Sequence, residues 1–224
     1  MEREQSEIAT AYNDWAETYD TVENRTRDLA AETLRQLNLN LDGRRIVEVG
    51  CGTGRNTTWL AERSAAIVGL DFSEAMLARA RTRVNDPRIR FVQHDVSVGW
   101  PLAAASADVV IAMLILEHVE HLQPVFKEAA RVLSRGGQFF VCELHPVLQL
   151  LGKQARFTNA RTGENTLVTA FIHRTDDYLQ AADAAGFELL SAVDVHDRNG
   201  EGDLPRLLSL HFQRPTLSRT GAVS

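Results

Sequence analysis

Apolar side chains recur every three or four residues over about residues 3–20, and a second polar segment with helical periodicity covers about residues 24–38. In the first segment the recurring positions are Ile8, Tyr12, Trp15 and Tyr19. This spacing places side chains on one face of a helix. The pattern therefore predicts two amphipathic helices before the first strand, which together form an N-terminal cap over residues 1–40.

Short apolar runs then alternate with helical stretches through the middle of the chain. The runs that predict strands are Arg45–Val49, Ile67–Leu70, Ile89–Gln93, Asp108–Met113 and Gln138–Glu143. The helices between them are expected to begin near Arg55, Ser73 and Leu122, with Ser73 as an N-cap and Gly136-Gly137 as a helix stop. Such alternation favours parallel strands joined by right-handed crossovers, so the fold class is α/β with a doubly wound sheet.

The alternation ends after residue 144, and residues 145–174 form a candidate lid or substrate insertion. A helix is predicted over Thr175–Ala185. Two extended runs, Phe187–Val195 and Leu207–Phe212, follow with a short polar connection that contains Asn199-Gly200, and they predict an antiparallel pair at the sheet edge. We expect a single domain over residues 1–214 and a flexible tail over residues 215–224.

The composition and net charge of the chain disfavour several classes of function. Hydrophobic residues make up 44% and charged residues 24% of the 224-residue chain, which is typical of a globular protein. The formal net charge of -6 disfavours a nucleic-acid or anionic-membrane partner. No apolar stretch approaches the roughly 18 residues of a membrane span, and the N-terminus does not resemble a signal peptide, so we expect a cytoplasmic protein. Cys51 and Cys142, the two cysteines, predict reduced thiols.

The first predicted strand runs into three glycines at a spacing of two, Gly50, Gly52 and Gly54. Glycines at such a turn let the backbone approach a ligand closely. A dinucleotide site requires a small residue where this chain has Arg55. Glu48, just before the turn, would also repel a pyrophosphate. The segment therefore favours a cationic ligand over a dinucleotide.

The next two predicted strands also end in carboxylates. Asp71 follows Gly69-Leu70 and is suited to accept hydrogen bonds from both hydroxyls of a ribose, with Phe72 beside it to cover an adenine. Asp95 ends the third strand, where it can accept a hydrogen bond from the adenine amino group. Either aspartate alone could cap a helix. Together with the glycine turn they predict a nucleoside site.

Five segments resemble, in order, the motifs of class I S-adenosylmethionine (SAM)-dependent methyltransferases: VEVGCGTGRNT, VGLDFSEAML, FVQHDVS, ADVVIAMLILEHV and RVLSRGGQFFVCE. The N-terminal AYNDWAETYD resembles the segment that folds over the cofactor in many small members. The resemblance implies a Rossmann-like, mostly parallel seven-stranded sheet with an antiparallel edge hairpin, N-terminal helices covering the cofactor, and SAM as the cofactor. SAM carries an ammonium, a sulfonium and a carboxylate, which suits an acidic strand end beside glycine N–H groups.

The same resemblance assigns cofactor contacts. The glycine turn would hold the methionine portion, Asp71 the ribose, and Asp95 with Val96 the adenine, while Met113 would contact the methionine portion. The complete expected set is Tyr12, Tyr19, Glu48, Gly50, Cys51, Gly52, Gly54, Arg55, Asp71, Phe72, Met76, Asp95, Val96, Met113 and His118. For Arg55, binding of the cofactor carboxylate and simple exposure on the first helical turn remain equally open.

Two histidines are candidates for a general base. His145 follows the fifth predicted strand and His173 ends the insertion, and a histidine can take a proton from an oxygen or nitrogen acceptor near neutral pH. No ligand spacing indicates a metal site. The chain lacks the (N/D)PP(Y/F) tetrapeptide expected of nucleic-acid or glutamine amino-methylating enzymes, so we predict methylation of an oxygen or nitrogen of a small molecule. The alternatives are a SAM-using enzyme with different chemistry, such as intramolecular cyclisation or aminocarboxypropyl transfer, and a non-catalytic SAM-binding subunit.

Overall fold

A computed structural model of the chain describes residues 2–37, 39–197 and 203–216. The described helices are α1 (Glu2–Trp15), α2 (Arg25–Gln36), α3 (Arg55–Ala61), α4 (Glu74–Arg83), α5 (Leu122–Val132), α6 (Pro146–Leu150) and α7 (Thr175–Ala184). The described strands are β1 (Arg45–Val49), β2 (Ala66–Asp71), β3 (Ile89–Gln93), β4 (Ala107–Met113), β5 (Leu133–Leu144), β6 (Arg156–Thr158), β7 (Asn165–Leu167), β8 (Glu188–Val195) and β9 (Leu207–Gln213).

Seven strands form one sheet in the order β3-β2-β1-β4-β5-β9-β8. The first five are parallel to one another, while β9 pairs antiparallel with both β5 and β8. The predicted doubly wound sheet and its antiparallel edge pair are therefore confirmed. Strand order reverses between β1 and β4, and ligands of open α/β sheets bind at the carboxyl ends of the strands beside such a reversal.

Helices cover both faces of the sheet. One apolar cluster packs α5 and α7 on the sheet through Phe126, Phe139 and Tyr178, and a second packs α2 and α3 on the opposite face through Leu34 and Leu60. A third cluster joins α1 to α4 and contains Ile8, Trp15, Met76 and Phe157. The N-terminal helices therefore flank the carboxyl ends of β1 and β2, as the resemblance implied.

Local signals explain most helix boundaries. Ser73 is the N-cap of α4, since its hydroxyl accepts the Met76 N–H at 3.2 Å. The predicted helix stop at Gly136-Gly137 is wrong, because α5 ends at Val132 and the two glycines lie inside β5. Gly136 has φ +75° and donates its N–H to the Arg214 carbonyl. A Cβ on Gly137 would lie 2.8 Å from the Ser134 carbonyl oxygen, so these glycines allow a tight irregularity at the start of the strand.

The segment over residues 145–174 contains α6 and a β6–β7 hairpin that the sequence pattern did not predict. Phe157 of the hairpin stacks on Trp15 of α1, with ring centroids 5.1 Å apart and planes 10° apart. The hairpin is thereby attached to the N-terminal cap. The connection predicted at Asn199-Gly200 and residues 217–224 of the tail lie outside the described residues. No helix in the described ranges is long and apolar enough to cross a membrane.

Candidate functional site

The glycine turn after β1 holds three residues in the left-handed region, with φ +70° at Gly50, +53° at Gly52 and +76° at Gly54. A Cβ on Gly50 would lie 2.7 Å from the Ile115 side chain, whereas a Cβ on Gly52 would meet no atom within 4 Å. Gly50 is therefore required by packing within the protein. Gly52 borders open space that a ligand can occupy.

Asp71, the last residue of β2, is buried and supports this turn. Its two carboxylate oxygens accept the Gly52 N–H at 2.8 Å and the Ser73 N–H at 2.9 Å. Burial raises the pKa of Asp71 to about 6, although these backbone donors act in the opposite direction. Each oxygen has a second lone pair, so the carboxylate can also accept hydrogen bonds from two ligand hydroxyls.

A small cavity, here called the strand-end cavity, lies at the ends of β2 and β3. Six of the predicted cofactor residues line it, namely Gly50, Asp71, Phe72, Asp95, Val96 and His118. The Asp95 carboxylate is oriented by the Ser97 N–H at 2.8 Å and the Ser97 hydroxyl at 2.7 Å. The cavity thus combines an aromatic ring with two carboxylates, which suits an adenosine.

A second cavity of about 90 Å³, the glycine-loop cavity, shares Gly50 with the first. Its predicted lining residues are Tyr19, Gly50, Cys51, Gly52, Arg55 and Met113. The Arg55 guanidinium forms an ion pair with Asp28 at 2.9 Å while it lines this cavity. Arg27 and Asn56 also line the cavity, and neither is among the residues predicted from the sequence.

Polar contacts hold the N-terminal segment beside the glycine-loop cavity. The Asp20 carboxylate accepts the Thr53 hydroxyl at 3.0 Å and the Arg83 guanidinium at 2.8 Å. The Arg27 guanidinium lies over the Tyr19 ring, 4.2 Å from its centroid, and donates to the Tyr19 and Val22 carbonyls. Residues that follow α1 are therefore held against the glycine turn by side chains distant in sequence.

Tyr12 and His118 form a buried hydrogen bond of 2.7 Å between the phenol oxygen and Nε2. His118 Nδ1 lies 2.7 Å from the Thr169 carbonyl, which can only accept, so Nδ1 carries a proton. In the neutral ring Nε2 is then the acceptor of the Tyr12 hydroxyl. Burial raises the pKa of Tyr12 well above its ordinary value, and the hydroxyl is protonated at neutral pH.

A third cavity of about 580 Å³, the cap cavity, lies between the N-terminal helices and the segment over residues 145–174. It shares Tyr19, Arg27 and Leu114 with the glycine-loop cavity, and Tyr12 also lines it. The Tyr12–His118 pair therefore extends from the cap cavity to the strand-end cavity. The three cavities together form one cleft along the carboxyl ends of β1, β2 and β4.

The structure does not bring the two candidate base histidines to this cleft. His145 accepts the Val147 N–H on Nδ1 and contacts Asp194 of β8 through Nε2, both at 3.2 Å. His173 is buried, and its Nε2 donates to the Val119 carbonyl at 2.7 Å. His145 sits at the predicted strand end and His173 at the end of the insertion, but each ring is directed into hydrogen bonds with neighbouring elements. We therefore do not retain either as the proposed base.

Three of the predicted cofactor residues support the cleft without lining its cavities. The Glu48 carboxylate accepts the Thr57 hydroxyl of α3, and burial raises the pKa of Glu48 to about 8. A Cβ on Gly54 would lie 3.2 Å from Ala80 Cβ, so this glycine allows the turn to pack on α4. Met76 is buried in the cluster beneath α1. The contact of Glu48 with a ligand ammonium stays a prediction, and one of its carboxylate oxygens is already bonded to Thr57.

The donor set of the two inner cavities fits SAM. The strand-end cavity offers two carboxylates and the Phe72 ring for an adenosine. The glycine-loop cavity offers cations, Arg27 and Arg55 among them, for a carboxylate, and Gly52 leaves room that a Cβ would fill. Gly50 lines both cavities, so the two adjoin at the glycine turn.

Comparisons with known proteins agree with this geometry. A family model described as a methyltransferase domain matches residues 47–141. An uncharacterised methyltransferase of Emericella nidulans is 30% identical over 242 residues, which covers 90% of this chain and 84% of that protein. A ubiquinone biosynthesis O-methyltransferase of Coxiella burnetii is 26% identical, with 78% of this chain and 77% of that protein covered. A crystal structure of a SAM-dependent methyltransferase from Mesorhizobium loti superposes with a TM-score of 0.72 at 26% identity and covers 84% of this chain and 99% of that one.

Proposed function

Because the chain belongs to the class I SAM-dependent methyltransferases and is an enzyme that uses SAM, we propose that it transfers the methyl group to an oxygen or nitrogen of a small molecule bound in the cap cavity. One observation carries this proposal. The cap cavity, of a size typical of small-molecule sites, meets the glycine-loop cavity at Tyr19, Arg27 and Leu114. An acceptor placed there lies beside the position of the methionine portion.

The cofactor would span the two inner cavities. Asp71 would accept the ribose hydroxyls, Asp95 and Phe72 would hold the adenine, and the glycine turn with Arg55 would hold the methionine portion. When bound there, SAM supplies a methyl group already activated by its sulfonium. The main tasks left to the protein are to align the acceptor and to exclude water, and such positioning can lower a barrier by roughly 7–11 kcal/mol.

Tyr12 and His118 replace the earlier candidates as the proposed proton relay. As the acceptor oxygen or nitrogen attacks, its proton passes to the Tyr12 oxygen, and the Tyr12 hydroxyl proton passes to His118 Nε2. The resulting imidazolium keeps its Nδ1–H bond to the Thr169 carbonyl. The Glu117 carboxylate, 3.7 Å from Nε2, would stabilise the positive charge.

The elements that enclose the cap cavity support a small-molecule acceptor. Residues of α6 and of the connection to β6 line it opposite α1 and α2, and we propose that the segment over residues 145–174 is the acceptor-binding insertion. A net charge of -6 makes a nucleic-acid acceptor unfavourable. The Coxiella burnetii relative, whose name specifies an O-methyltransferase of ubiquinone biosynthesis, supports an oxygen acceptor of small size.

Product analysis tests this proposal. Purified protein is incubated with SAM and a panel of phenols, amines and carboxylic acids, and products are identified by mass and by the position of the added methyl group. We expect S-adenosylhomocysteine (SAH) and an O- or N-methylated product in equal amounts. Release of methylthioadenosine would instead indicate different chemistry on SAM. Binding of SAM without turnover of any acceptor would indicate a non-catalytic subunit.

A further inference from the structure

The cap cavity is positively charged although the protein as a whole is acidic. Four cationic side chains line it, Arg27, Lys153, Arg156 and Arg206, against the two carboxylates of Glu23 and Glu117. The formal charge of the whole chain is -6. Charge of the opposite sign is therefore concentrated where the acceptor would bind, and a charged lining raises the local concentration of ligands of the other sign.

Three of these cations have no carboxylate partner within the described part of the chain. Arg206 is paired with Asp197 at 3.3 Å. Arg27 donates to main-chain carbonyls alone, and its buried Nε has no hydrogen-bond partner among the described residues. Lys153, on the connection between α6 and β6, and Arg156, the first residue of β6, form no ion pair with any described side chain. The positive charge of the cavity is thus available to a ligand.

Helix α2 adds to this charge. Its N-cap, Asn24, and its first-turn residues Thr26 and Arg27 line the cap cavity, so the positive end of the helix dipole faces it. The remaining wall is largely aromatic and aliphatic, with Trp15 and Leu148 among its members. The cavity therefore offers an apolar body site and a cationic rim.

Resting on the proposed function, we propose that the methyl acceptor is an anionic organic molecule, with a carboxylate or phosphate group held by Lys153 and Arg156 and an apolar body against Trp15. These two cations line the cap cavity and not the glycine-loop cavity, so they are separate from the residues that would hold the cofactor. Arg27 lines both cavities and would face the anion from the cofactor side. Lys153 and Arg156 are specificity-determining residues in this view.

Matched pairs of neutral and anionic probes test the proposal by binding, without requiring turnover. SAH-loaded protein is titrated with 4-hydroxybenzoate and 4-hydroxybenzamide, indole-3-acetate and indole-3-acetamide, and phenyl phosphate and phenol. We expect at least one anionic member to bind about tenfold or more tightly than its neutral partner, and the preference to weaken as salt is raised, because both cations are exposed. Equal affinities within every pair, or no binding of any anionic probe, would overturn the proposal.

Variants that remove positive charge test whether Lys153 and Arg156 cause the preference for anionic probes. In the double variant Lys153→Gln, Arg156→Gln, the ratio of the affinities for the anionic and the neutral probe should fall about tenfold. The affinity of this variant for SAH should equal that of the wild type. Lys127→Gln, Arg135→Gln removes the same net charge from exposed positions outside the cleft and should keep the preference. Persistence of the preference in the first double variant would overturn the assignment of these residues.

The same pairs incubated with SAM separate this inference from the proposed function. Methyl transfer to neutral members as fast as to anionic ones would contradict the anionic acceptor and leave methyl transfer standing. Charge-selective binding with no O- or N-methylated product from any pair, and none from the wider panel, would contradict the proposed function and leave the anion site standing.

Discussion

The inner part of the cleft and the cap cavity are built in different ways. The strand-end and glycine-loop cavities share the turn after β1, where backbone dihedrals and the carboxylates at the ends of β2 and β3 help to define the shape, and α2 and the end of β4 complete the glycine-loop cavity. The cap cavity is assembled from α1, α2, α6 and the connection to β6, which lie far apart in sequence. Its properties depend on which side chains those elements direct inward.

Because the two parts are built differently, we expect cofactor binding and acceptor choice to depend on different residues. A backbone turn such as Gly50–Gly54 tolerates few substitutions, since a Cβ at Gly50 collides with Ile115. Exposed side chains such as Lys153 can change without disturbing the sheet. We therefore expect substitutions in the inner cleft to weaken SAM binding, and those in the cap cavity to alter turnover while SAM binding is kept.

The largest effect is expected from Asp71→Ala. Its carboxylate would accept two ribose hydroxyls, and a hydrogen bond to a charged group contributes about 1.5–3 kcal/mol, so the affinity for SAH should fall about 10²- to 10⁴-fold by calorimetry. Asp86→Ala removes a half-buried carboxylate that pairs with Arg88 at the opposite end of β3, outside the cleft, and serves as the control. Unchanged SAH affinity in a folded Asp71→Ala protein would contradict the assignment.

The pKa of Asp71 adds a pH dependence to that measurement. Because burial raises this pKa to about 6, the carboxyl group becomes protonated as the pH falls through 6 and loses acceptor capacity. Wild-type affinity for SAH should therefore decrease between pH 7 and pH 5. Asp71→Asn should bind weakly at both pH values, with a smaller change between them.

Tyr12→Phe should lower kcat and keep the affinity for SAH, whereas Asp71→Ala should lower that affinity. The ring that packs on Phe72 is kept and only the hydroxyl bonded to His118 is lost. Proton transfer by a positioned group typically contributes 10²- to 10⁴-fold, so we expect kcat to fall by about 10² or more while SAH affinity changes little.

Two further variants distinguish a relay from a merely structural role of Tyr12. His118→Gln should lose a similar factor, and the double variant should lose no more than either single one, because the two residues act as a unit. Tyr178→Phe removes a hydroxyl from a buried tyrosine outside the cleft and should leave kcat unchanged. Additive losses in the double variant would argue against the relay.

A smaller effect is expected at two glycines of the turn, Gly50 and Gly52, which should respond differently to substitution. Gly52→Ala places a methyl group in open space and should weaken SAH binding roughly tenfold, while an alanine with positive φ costs about 1–2 kcal/mol of stability. Gly50→Ala adds the collision with Ile115 and should lower the free energy of unfolding by about 2–4 kcal/mol. Binding and thermal unfolding of both variants check this. Equal stability losses would mean that the turn adjusts.

The two parts of the cleft also differ in how far sequence alone predicted them. The bounds of β1 and β3 and the placement of Asp71 and Asp95 at strand ends follow from local apolar runs and turn chemistry. Arg27 could not be chosen over Arg25, because its orientation depends on the Tyr19 ring, a contact between separate segments. The β6–β7 hairpin has strands of three residues, too short for a periodic signal.

For the histidines too, the local sequence predicts the position in the fold but not the hydrogen-bond partner of the ring. Sequence places His145 at the end of β5, but its ring turns toward Asp194 of β8, and this pairing is set by the edge hairpin. His118 was assigned to the cofactor from the LEHV segment, yet its partner Tyr12 lies on α1, more than a hundred residues earlier. A strand end can be predicted from pattern. The direction and partner of a side chain there depend on tertiary packing.

The smallest effect concerns Glu143, which lies beneath both parts of the cleft. Its Oε1 accepts the N–H groups of Ile115 and Leu116, each at 3.1 Å, and its buried Oε2 has no partner among the described residues. Burial, together with the Glu117 carboxylate, raises the pKa of Glu143 to about 8, so the folded protein keeps a proton that the unfolded chain loses near pH 4.5. The stability from this proton is complete below pH 4.5 and is lost as the pH rises through 8.

Glu143→Gln resembles the protonated carboxyl group and cannot ionise, so its stability should not decline in this way. Between pH 6 and pH 9 the wild type should lose roughly 1–3 kcal/mol relative to the variant, a shift of several degrees in melting temperature. Glu188→Gln, on an exposed position of β8, should track the wild type. If Glu143→Gln also tracked it, Glu143 would be ionised in the folded protein. The N–H groups of Ile115 and Leu116 would then be bonded to a buried carboxylate anion, and not to a neutral carboxyl group.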